Sequence, residues 1–209
     1  MKRIAHRGYK TSSIKENTME AFKNAANNEF FGIEFDVRKT KDGKLVVVHD
    51  ASIDRVSNGH GFVRDLTYDE LSKYNFGSKD VPSKIPLFEE VLNSFPGLFK
   101  IVELKTEVDL EPFLDRVDDK TYFMSFDNGL IKRLKKKHPK LKCGVLNYVL
   151  NSEVDYDYDM ICILDMVATD ELVMKFLKKG IAVFIYGIVG KIDYVRDYEN
   201  LYYIVERKN

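Results

Sequence analysis

Three acidic residues carry the clearest chemical signal in this 209-residue sequence. Glu34 and Asp36 alternate with apolar residues in segment 31–37, and Glu103 alternates in the same way in segment 101–105. Side chains alternate across a β-strand, so each segment predicts a strand whose acidic and apolar residues lie on opposite faces. Buried carboxylates are strongly unfavourable unless a cation or a proton neutralises them. Because hard divalent cations prefer oxygen ligands, the three residues predict a site for Mg²⁺ or Ca²⁺.

A second interpretation of the same residues is an ion-pair network that holds no metal. Arg7 follows the first predicted strand, and Lys105 shares a strand face with Glu103. Buried carboxylates occur in structural ion-pair networks as well as in functional sites. The acidic residues alone do not separate a metal site from such a network.

Two of the four histidines end predicted apolar strands near the acidic residues. His6 ends the first strand, and His49 follows an apolar run at residues 45–48. The dipeptide Asp42-Gly43 is a strong hairpin signal, and folding the chain about it places residue 36 opposite residue 49. A bulge in this hairpin would shift the pairing by one residue. Two imidazoles beside one carboxylate cluster suit general acid–base catalysis near neutral pH.

Short apolar strands alternate with amphipathic helical segments along the chain, which is typical of parallel βα units. The predicted strands are Arg3–Arg7, Phe31–Val37, Phe99–Lys105, Thr121–Phe126, Lys142–Tyr148, Met160–Met166, Ala182–Ile188 and Leu201–Glu206. These eight strands predict a single α/β domain over residues 1–209, a (β/α)8 TIM barrel. Such barrels typically have about 250 residues, so this chain should have short helices. The segment of about residues 38–84 breaks the alternation, and we interpret it as a hairpin-containing insertion after the second barrel strand.

Capping patterns predict where several helices begin. Asn17 with Glu20, and Thr67 with Glu70, have the spacing of an N-cap residue and its acidic partner. Pro86 suits the first position of a further helix, where its missing N–H group is not needed.

Composition and charge exclude several classes of protein. The chain has 33 Lys and Arg residues against 33 Asp and Glu residues, so its charge does not indicate a nucleic-acid-binding surface. No stretch approaches 18 apolar residues, and the apolar run at the amino terminus breaks at His6, so neither a transmembrane segment nor a secretory signal is predicted. Cys143 and Cys162 lie in apolar stretches and are predicted to be buried, reduced thiols. These features together predict a cytoplasmic protein.

Six short motifs follow one another along the first half of the chain. They are Ala5-His6-Arg7-Gly8, Glu16-Asn17-Thr18, Glu34-Phe35-Asp36-Val37, Lys41-Asp42-Gly43, His49-Asp50 and Glu103-Leu104-Lys105. Their order and spacing resemble those of the glycerophosphodiester phosphodiesterase family, strongly over residues 1–105 and only weakly beyond residue 148. The resemblance implies a TIM barrel that binds one divalent cation, Mg²⁺ or Ca²⁺, with Mn²⁺ as a further candidate. The implied activity is hydrolysis of a small-molecule glycerophosphodiester to glycerol 3-phosphate and an alcohol.

The resemblance also implies a role for each candidate site residue. The site would combine metal ligands, a catalytic acid–base pair and contacts to the substrate. Glu34, Asp36 and Glu103 would be the metal ligands, His6 and His49 the acid–base pair, and Arg7, Lys105 and Tyr186 the substrate contacts. Arg7 and Lys105 would bind the phosphate oxygens, and Tyr186 would line the alcohol pocket. Which histidine is the acid, and whether water or the substrate's glycerol hydroxyl attacks, stays open.

The sequence departs from the family pattern mainly on the alcohol side of the site. Phe184-Ile185-Tyr186 keeps an aromatic residue but lacks the Thr and Asn usual in the family, and the customary Thr-Asp after the last strand is absent. Lys15 stands where the family usually has Pro. The identity of the substrate alcohol therefore stays open, and so does the oligomeric state.

Three other functions fit parts of the pattern. Phospholipase D-like action on a lipid headgroup would need an exposed apolar rim at the barrel mouth. A metal-dependent aldolase or lyase also uses carboxylates on this fold, but it gives no reason for two histidines beside Arg7 and Lys105. A non-catalytic binding module is expected to have lost at least one of the seven polar site residues, and all seven are present.

Overall fold

The computed structural model describes residues 1–147, 157–188 and 197–207. Within these ranges eight parallel strands close into a barrel, and a ninth strand pairs antiparallel with the second. The strands are β1 (Lys2–His6), β2 (Gly32–Lys39), β3 (Leu45–Val47), β4 (Phe99–Leu104), β5 (Thr121–Ser125), β6 (Lys142–Asn147), β7 (Met160–Leu164), β8 (Ala182–Tyr186) and β9 (Leu201–Val205). The order around the barrel is β1-β2-β4-β5-β6-β7-β8-β9, and β9 pairs with β1 to close it.

All eight predicted barrel strands are present, and their described ends lie within two residues of the predicted ends. The predicted end at Tyr148 lies outside the described residues. The described helices are short, as the chain length predicts. They are α1 (Met19–Asn27), α2 (Tyr68–Leu71), α3 (Phe88–Ser94), α4 (Asn128–Lys137) and α5 (Asp170–Leu177). The prediction of a (β/α)8 TIM barrel is confirmed.

The barrel wall is apolar on both sides over most of its height. On the outside, Phe22 of α1 packs against Phe35 of β2 with ring centroids 5.6 Å apart. On the inside, Tyr202 stacks on Phe184 at 4.6 Å and on Phe99 at 4.8 Å. These aromatic residues fill the lower interior of the barrel, so the space for polar side chains lies nearer the carboxyl ends of the strands.

Gly32 allows β2 to approach β4 closely. A Cβ atom at residue 32 would lie 2.3 Å from the carbonyl oxygen of Phe99, so any larger residue would push the two strands apart. The close approach belongs to a register in which Gly32 pairs with Phe99 and Asp36 pairs with Glu103. Gly32 therefore permits the close strand pairing that places Asp36 beside Glu103.

The chain between β2 and α3 contains β3, a 3-10 turn at Val63–Asp65 and α2. Its apolar side chains form a small core that is distinct from the barrel core. The core consists of Val46, Val48, Ile53, Val63, Leu71, Phe76 and Ile85. This core holds the inserted segment as an ordered unit over the barrel. The assignment of residues 1–209 to one domain stays a prediction.

The hairpin between β2 and β3 forms, but its predicted register is wrong by one residue. The amide of Val48 donates to the carbonyl of Asp36 at 2.9 Å, so Val48 and not His49 lies opposite residue 36. The turn is the cause, because the amide of Thr40 donates to the carbonyl of Lys44 at 2.9 Å. The loop between these two residues is one residue longer than a two-residue Asp-Gly turn, which shifts the returning strand by one.

Two of the predicted helix starts are wrong, and one is confirmed. The N-cap of α1 is Thr18, because the side chain of Asn17 turns toward the barrel interior. Helix α3 begins at Phe88, two residues after Pro86. Pro86 lies outside the helix because its carbonyl accepts a hydrogen bond from the amide of Val47 in β3. The capping box at Thr67 is present as predicted.

Two further predictions concern the cysteines and the membrane. Cys143 and Cys162 are buried free thiols, as predicted. Of the helices in the described ranges, none combines the length and the apolar character that spanning a bilayer requires. The cytoplasmic location stays a prediction.

Candidate active site

Three carboxylates lie inside the barrel at the carboxyl ends of two neighbouring strands. Asp36 of β2 pairs in register with Glu103 of β4, and Glu34 lies two residues earlier on β2. Alternation turns these side chains inward, while Phe35 packs outside against the helices. Only 1% of Glu34, 1% of Asp36 and 6% of Glu103 is exposed. One carboxylate oxygen from each residue lies within 4.8 Å of the other two.

The carboxylates repel one another in a space from which water is excluded. Burial, and then the charge of Asp36, raises the pKa of Glu34 to about 8. The pKa of Glu103 is raised by the same two causes. Burial would also raise the pKa of Asp36, but Lys105 and Arg7 outweigh it and hold that pKa below its ordinary value. In the absence of a further cation, Glu34 therefore tends to carry a proton near neutral pH.

Two cations lie against the carboxylates. Lys105 places its Nζ atom 3.1 Å from Asp36 Oδ1 and also donates a hydrogen bond to Glu103. Arg7 places its Nε atom 3.4 Å from Asp36 Oδ2, and its backbone amide donates to Glu34 Oε2 at 3.0 Å. Both cations of the ion-pair interpretation are therefore in place.

These two cations leave the carboxylates incompletely neutralised. Asp36 Oδ1 is buried, and it accepts no hydrogen bond from Lys105 or from any other described residue. Arg7 also forms an ion pair with Glu16 at 2.9 Å, so part of its charge is balanced outside the barrel. Three buried carboxylates with oxygens close to one another, one of which also has an oxygen without a hydrogen bond, suit a hard divalent cation. The residues present therefore fit the implied metal.

Asn17 is a residue of this site that the sequence reasoning missed. Its Nδ2 atom donates to Asp36 Oδ2 at 2.9 Å, and only 5% of the residue is exposed. Asn17 and Arg7 both have left-handed backbones, with φ of +54° and +56°, a conformation that residues other than glycine adopt at a cost. The motif Glu16-Asn17-Thr18 was the available signal, but the N-cap interpretation of Asn17 obscured it.

His6 is held between the acidic cluster and the end of the last barrel strand. Its Nε2 atom lies 3.9 Å from Glu34 Oε2, and its Nδ1 atom contacts the carboxylate of Glu206. The other oxygen of Glu206 contacts the Nζ atom of Lys10. Burial lowers the pKa of His6, but the hydrogen bond that His6 donates to Glu206 and the charge of Glu34 outweigh it, so the pKa is raised. Glu206 thus supplies a carboxylate where the family's Thr-Asp is absent, which the sequence reasoning also missed.

His49 is held by a similar chain on the side of the insertion. Its Nδ1 atom lies 2.7 Å from Asp50 Oδ1, and Asp50 Oδ2 accepts a hydrogen bond from Arg55 Nε at 2.6 Å. The backbone carbonyl of His49 accepts a further hydrogen bond from Arg38 at 2.8 Å. Burial lowers the pKa of His49, and the carboxylates of Asp36 and Asp50 only partly offset this. Despite the shifted hairpin register, His49 reaches the acidic cluster because it is the next residue after Val48.

The two histidines line one cavity of about 170 Å³ at the barrel mouth. Seven of the eight predicted site residues line it, namely His6, Arg7, Glu34, His49, Glu103, Lys105 and Tyr186. The eighth, Asp36, contacts Arg7 and Lys105 in the cavity wall. Tyr186 ends β8, and its hydroxyl lies 3.4 Å from the carbonyl of Asn147. The structure therefore brings all eight residues to one place.

The fold and the site together define a TIM-barrel protein with a carboxylate–histidine centre at the carboxyl-terminal face, where enzymes of this fold have their active sites. The sequence model of the glycerophosphoryl diester phosphodiesterase family matches residues 6–199. The chain belongs to this family, as the ordered motifs predict.

Individual relatives agree with the family assignment. A glycerophosphodiester phosphodiesterase of Caldanaerobacter subterraneus subsp. tengcongensis is 36% identical over 159 residues, which cover 68% of this chain and 65% of that protein. The chain thus matches about two thirds of that relative's length. The fold is similar to that of a glycerophosphodiester phosphodiesterase from Agrobacterium tumefaciens str. C58, with a TM-score of 0.83, 22% identity and coverage of 99% and 97% of the two chains. An Oleispira antarctica phosphodiesterase, solved in complex with the product sn-glycerol-3-phosphate, matches with a TM-score of 0.81 at 22% identity and covers 90% and 85%.

The raised pKa of Glu34 gives a prediction for the metal-free protein. Its folded-state pKa of about 8 lies above that of the unfolded chain, so the folded protein binds more protons between these values. The free energy of unfolding should therefore fall as the pH rises from about 4.5 to about 8. Glu34→Gln should remove this slope, so that the variant gains stability relative to wild type as the pH increases. Thermal melts followed by circular dichroism in EDTA, from about pH 5 to pH 9, measure the difference.

The matched control for this series is Glu171→Gln, which changes an exposed glutamate on α5 in the same way. That variant should follow the wild-type curve at every pH. Melting curves of Glu34→Gln that stay parallel to wild type would contradict the account of the acidic cluster.

Proposed function

We propose that the protein hydrolyses glycerophosphodiesters to glycerol 3-phosphate and an alcohol, using one divalent cation. The observation that carries the proposal is the buried trio Glu34, Asp36 and Glu103 beside two histidines and two cations in one cavity. Family membership supports the reaction class. The product bound in the Oleispira antarctica relative supports a substrate that contains glycerol 3-phosphate.

Glu34, Asp36 and Glu103 would hold the cation, and their charges would then no longer face one another uncompensated. A bound divalent cation neutralises the phosphodiester charge and orients its oxygens. Carboxylate ligands suit Mg²⁺, Ca²⁺ and Mn²⁺, so the donor set does not choose among the three.

Arg7 and Lys105 would bind the non-bridging phosphate oxygens. Each cation is held by carboxylates on one side and lines the cavity on the other. Arg7 offers a planar fork of N–H donors, and Lys105 offers a compact point charge. Because Asp36 contacts both, the two donors are fixed relative to each other before a substrate arrives. Such prior positioning lowers the cost of binding the charged phosphate.

His6 and His49 would transfer the protons. The Nδ1 atom of each ring is engaged by a carboxylate, Glu206 for His6 and Asp50 for His49. When the ring is neutral, this contact places the proton on Nδ1 and leaves Nε2 as the atom that exchanges a proton with the substrate. One histidine would take the proton of the attacking hydroxyl, and the other would protonate the leaving alkoxide.

A second candidate is action on the headgroup of a lipid. Phe126 and Met166 follow β5 and β7 at the barrel mouth, and 40% and 87% of their surfaces are exposed. Exposed apolar side chains at these positions favour contact with an acyl chain, and Phe126 also lines the cavity. Comparing a lysophospholipid with its deacylated glycerophosphodiester in the same assay separates the two functions. Faster turnover of the lysophospholipid would favour the second candidate.

Removal of the metal tests the proposal directly. Protein treated with EDTA should not release glycerol 3-phosphate from a panel of glycerophosphodiesters, because the phosphate charge would face the bare carboxylates. Adding Mg²⁺, Ca²⁺ or Mn²⁺ should restore turnover with at least one of them. A coupled assay for glycerol 3-phosphate measures the release. Chelator-resistant turnover would overturn the metal assignment, and a lack of turnover with every metal and every substrate would overturn the proposed function.

Replacing either histidine tests the acid–base assignment. His6→Ala and His49→Ala should each lower kcat by roughly 10²- to 10⁴-fold, as expected when proton transfer is lost, with the fold intact by circular dichroism. His60→Ala is a suitable control because 86% of that side chain is exposed, and it should leave turnover unchanged. Full activity in both single variants would refute the assignment.

A further inference from the structure

A second cavity lies beside the catalytic one and is more than three times as large. Its volume is about 600 Å³, against about 170 Å³ for the cavity that contains the histidines. The β1–α1 loop forms one wall, and residues 55–58 and 75–79 of the insertion form the other. Both segments follow carboxyl ends of barrel strands, so the two cavities lie at the same face of the barrel.

The two cavities are separated by a single layer of ion pairs. Glu16 lines the larger cavity and bonds Arg7 of the catalytic cavity at 2.9 Å. Arg55 lines the larger cavity and bonds Asp50, which in turn holds His49. A substrate whose phosphate lies among the histidines can therefore extend over this layer into the neighbouring space.

The sizes of the two cavities favour a substrate that extends in this way. Binding pockets for small ligands usually measure about 300–1,000 Å³. The catalytic cavity alone, at about 170 Å³, is smaller than this range. The larger cavity has the volume to receive the rest of the molecule.

The charge of the larger cavity indicates what it receives. Its charged lining consists of Lys10, Lys15, Arg55 and Lys79 against one acid, Glu16. Glu16 already binds both Arg7 and Arg55. Lys15 and Lys79 are exposed and form no ion pair with any described residue. Two of the four cations are thus available to a ligand.

The side-chain oxygens of two asparagines in the lining are already engaged. The side-chain oxygen of Asn75 accepts hydrogen bonds from the amides of Gly77 and Ser83, and that of Asn58 accepts one from the amide of Asn75. The described residues of the lining include no aromatic side chain, which a quaternary ammonium group such as choline would favour. The lining therefore suits an anion and does not suit a cationic headgroup.

We propose that this cavity binds a second anionic group, a phosphate ester carried by the alcohol part of the substrate, through Lys15 and Lys79. The inference rests on the proposed function and deepens it. The preferred substrates are glycerophosphodiesters whose alcohol is itself phosphorylated. Lys15, which stands where the family usually has Pro, is then a determinant of specificity.

Two substrates that differ by one phosphate test the proposal. The full chain, loaded with the metal that supports turnover, is assayed with glycerophosphoinositol and with glycerophosphoinositol 4-phosphate. Wild type should show a kcat/KM about 10-fold higher for the phosphorylated substrate, which corresponds to two partly exposed ion pairs. Lys15→Ala combined with Lys79→Ala should bring the ratio of the two kcat/KM values close to one. High salt should lower the wild-type ratio in the same direction because the contacts are screened.

The control is the double variant Lys136→Ala with Lys140→Ala, which removes two exposed lysines at and beyond the carboxyl end of α4. It lowers the net charge equally and should keep the wild-type ratio. Turnover of both substrates with a wild-type ratio near one, or a ratio unchanged in the Lys15/Lys79 variant, would overturn the inference and leave the proposed function standing. Turnover of neither substrate, nor of any other glycerophosphodiester, would overturn the proposed function and with it the inference.

Discussion

Mutual repulsion of three buried carboxylates is the constraint around which this molecule is organised. Glu34, Asp36 and Glu103 lie within the barrel on adjacent strands, where water screens little of their charge. Isolated charges are very costly in such a place, so the surrounding chain supplies cations, amide donors and a raised pKa to tolerate them. Three carboxylates whose oxygens lie this close together in a buried site are well suited to a divalent cation. Because a cation that binds only the folded protein stabilises it, the free energy of unfolding should be lower without the cation.

The two histidines are connected to this centre by similar chains of contacts. His6 contacts Glu206, which contacts Lys10. His49 contacts Asp50, which contacts Arg55. In each chain a carboxylate orients the ring, and a cation keeps that carboxylate ionised. The outer cations also line the larger neighbouring cavity. The two rings are therefore linked, through their carboxylates, to residues that line that cavity.

Sequence alone predicts the barrel and the acidic cluster because both depend on periodicity. Strand alternation decides which face carries Glu34 and Asp36, and the parallel pairing of neighbouring strands brings Glu103 beside them. Loop conformation is harder to predict from the sequence. One extra residue in a turn shifts the register of a hairpin, and one change of backbone torsion redirects a side chain. The hairpin pairing opposite residue 36 and the inward turn of Asn17 were missed for this reason. The contact between His6 and Glu206 joins the two ends of the chain, which no local pattern reveals.

The position of a bound cation tests the central claim most directly. Crystals grown with Mn²⁺ and measured at the manganese absorption edge locate the ion by its anomalous scattering. We expect one strong peak inside the barrel mouth, about 2.0–2.6 Å from a carboxylate oxygen of each of Glu34, Asp36 and Glu103. A peak that lies elsewhere while these three oxygens hold no ion at saturating Mn²⁺ would contradict it.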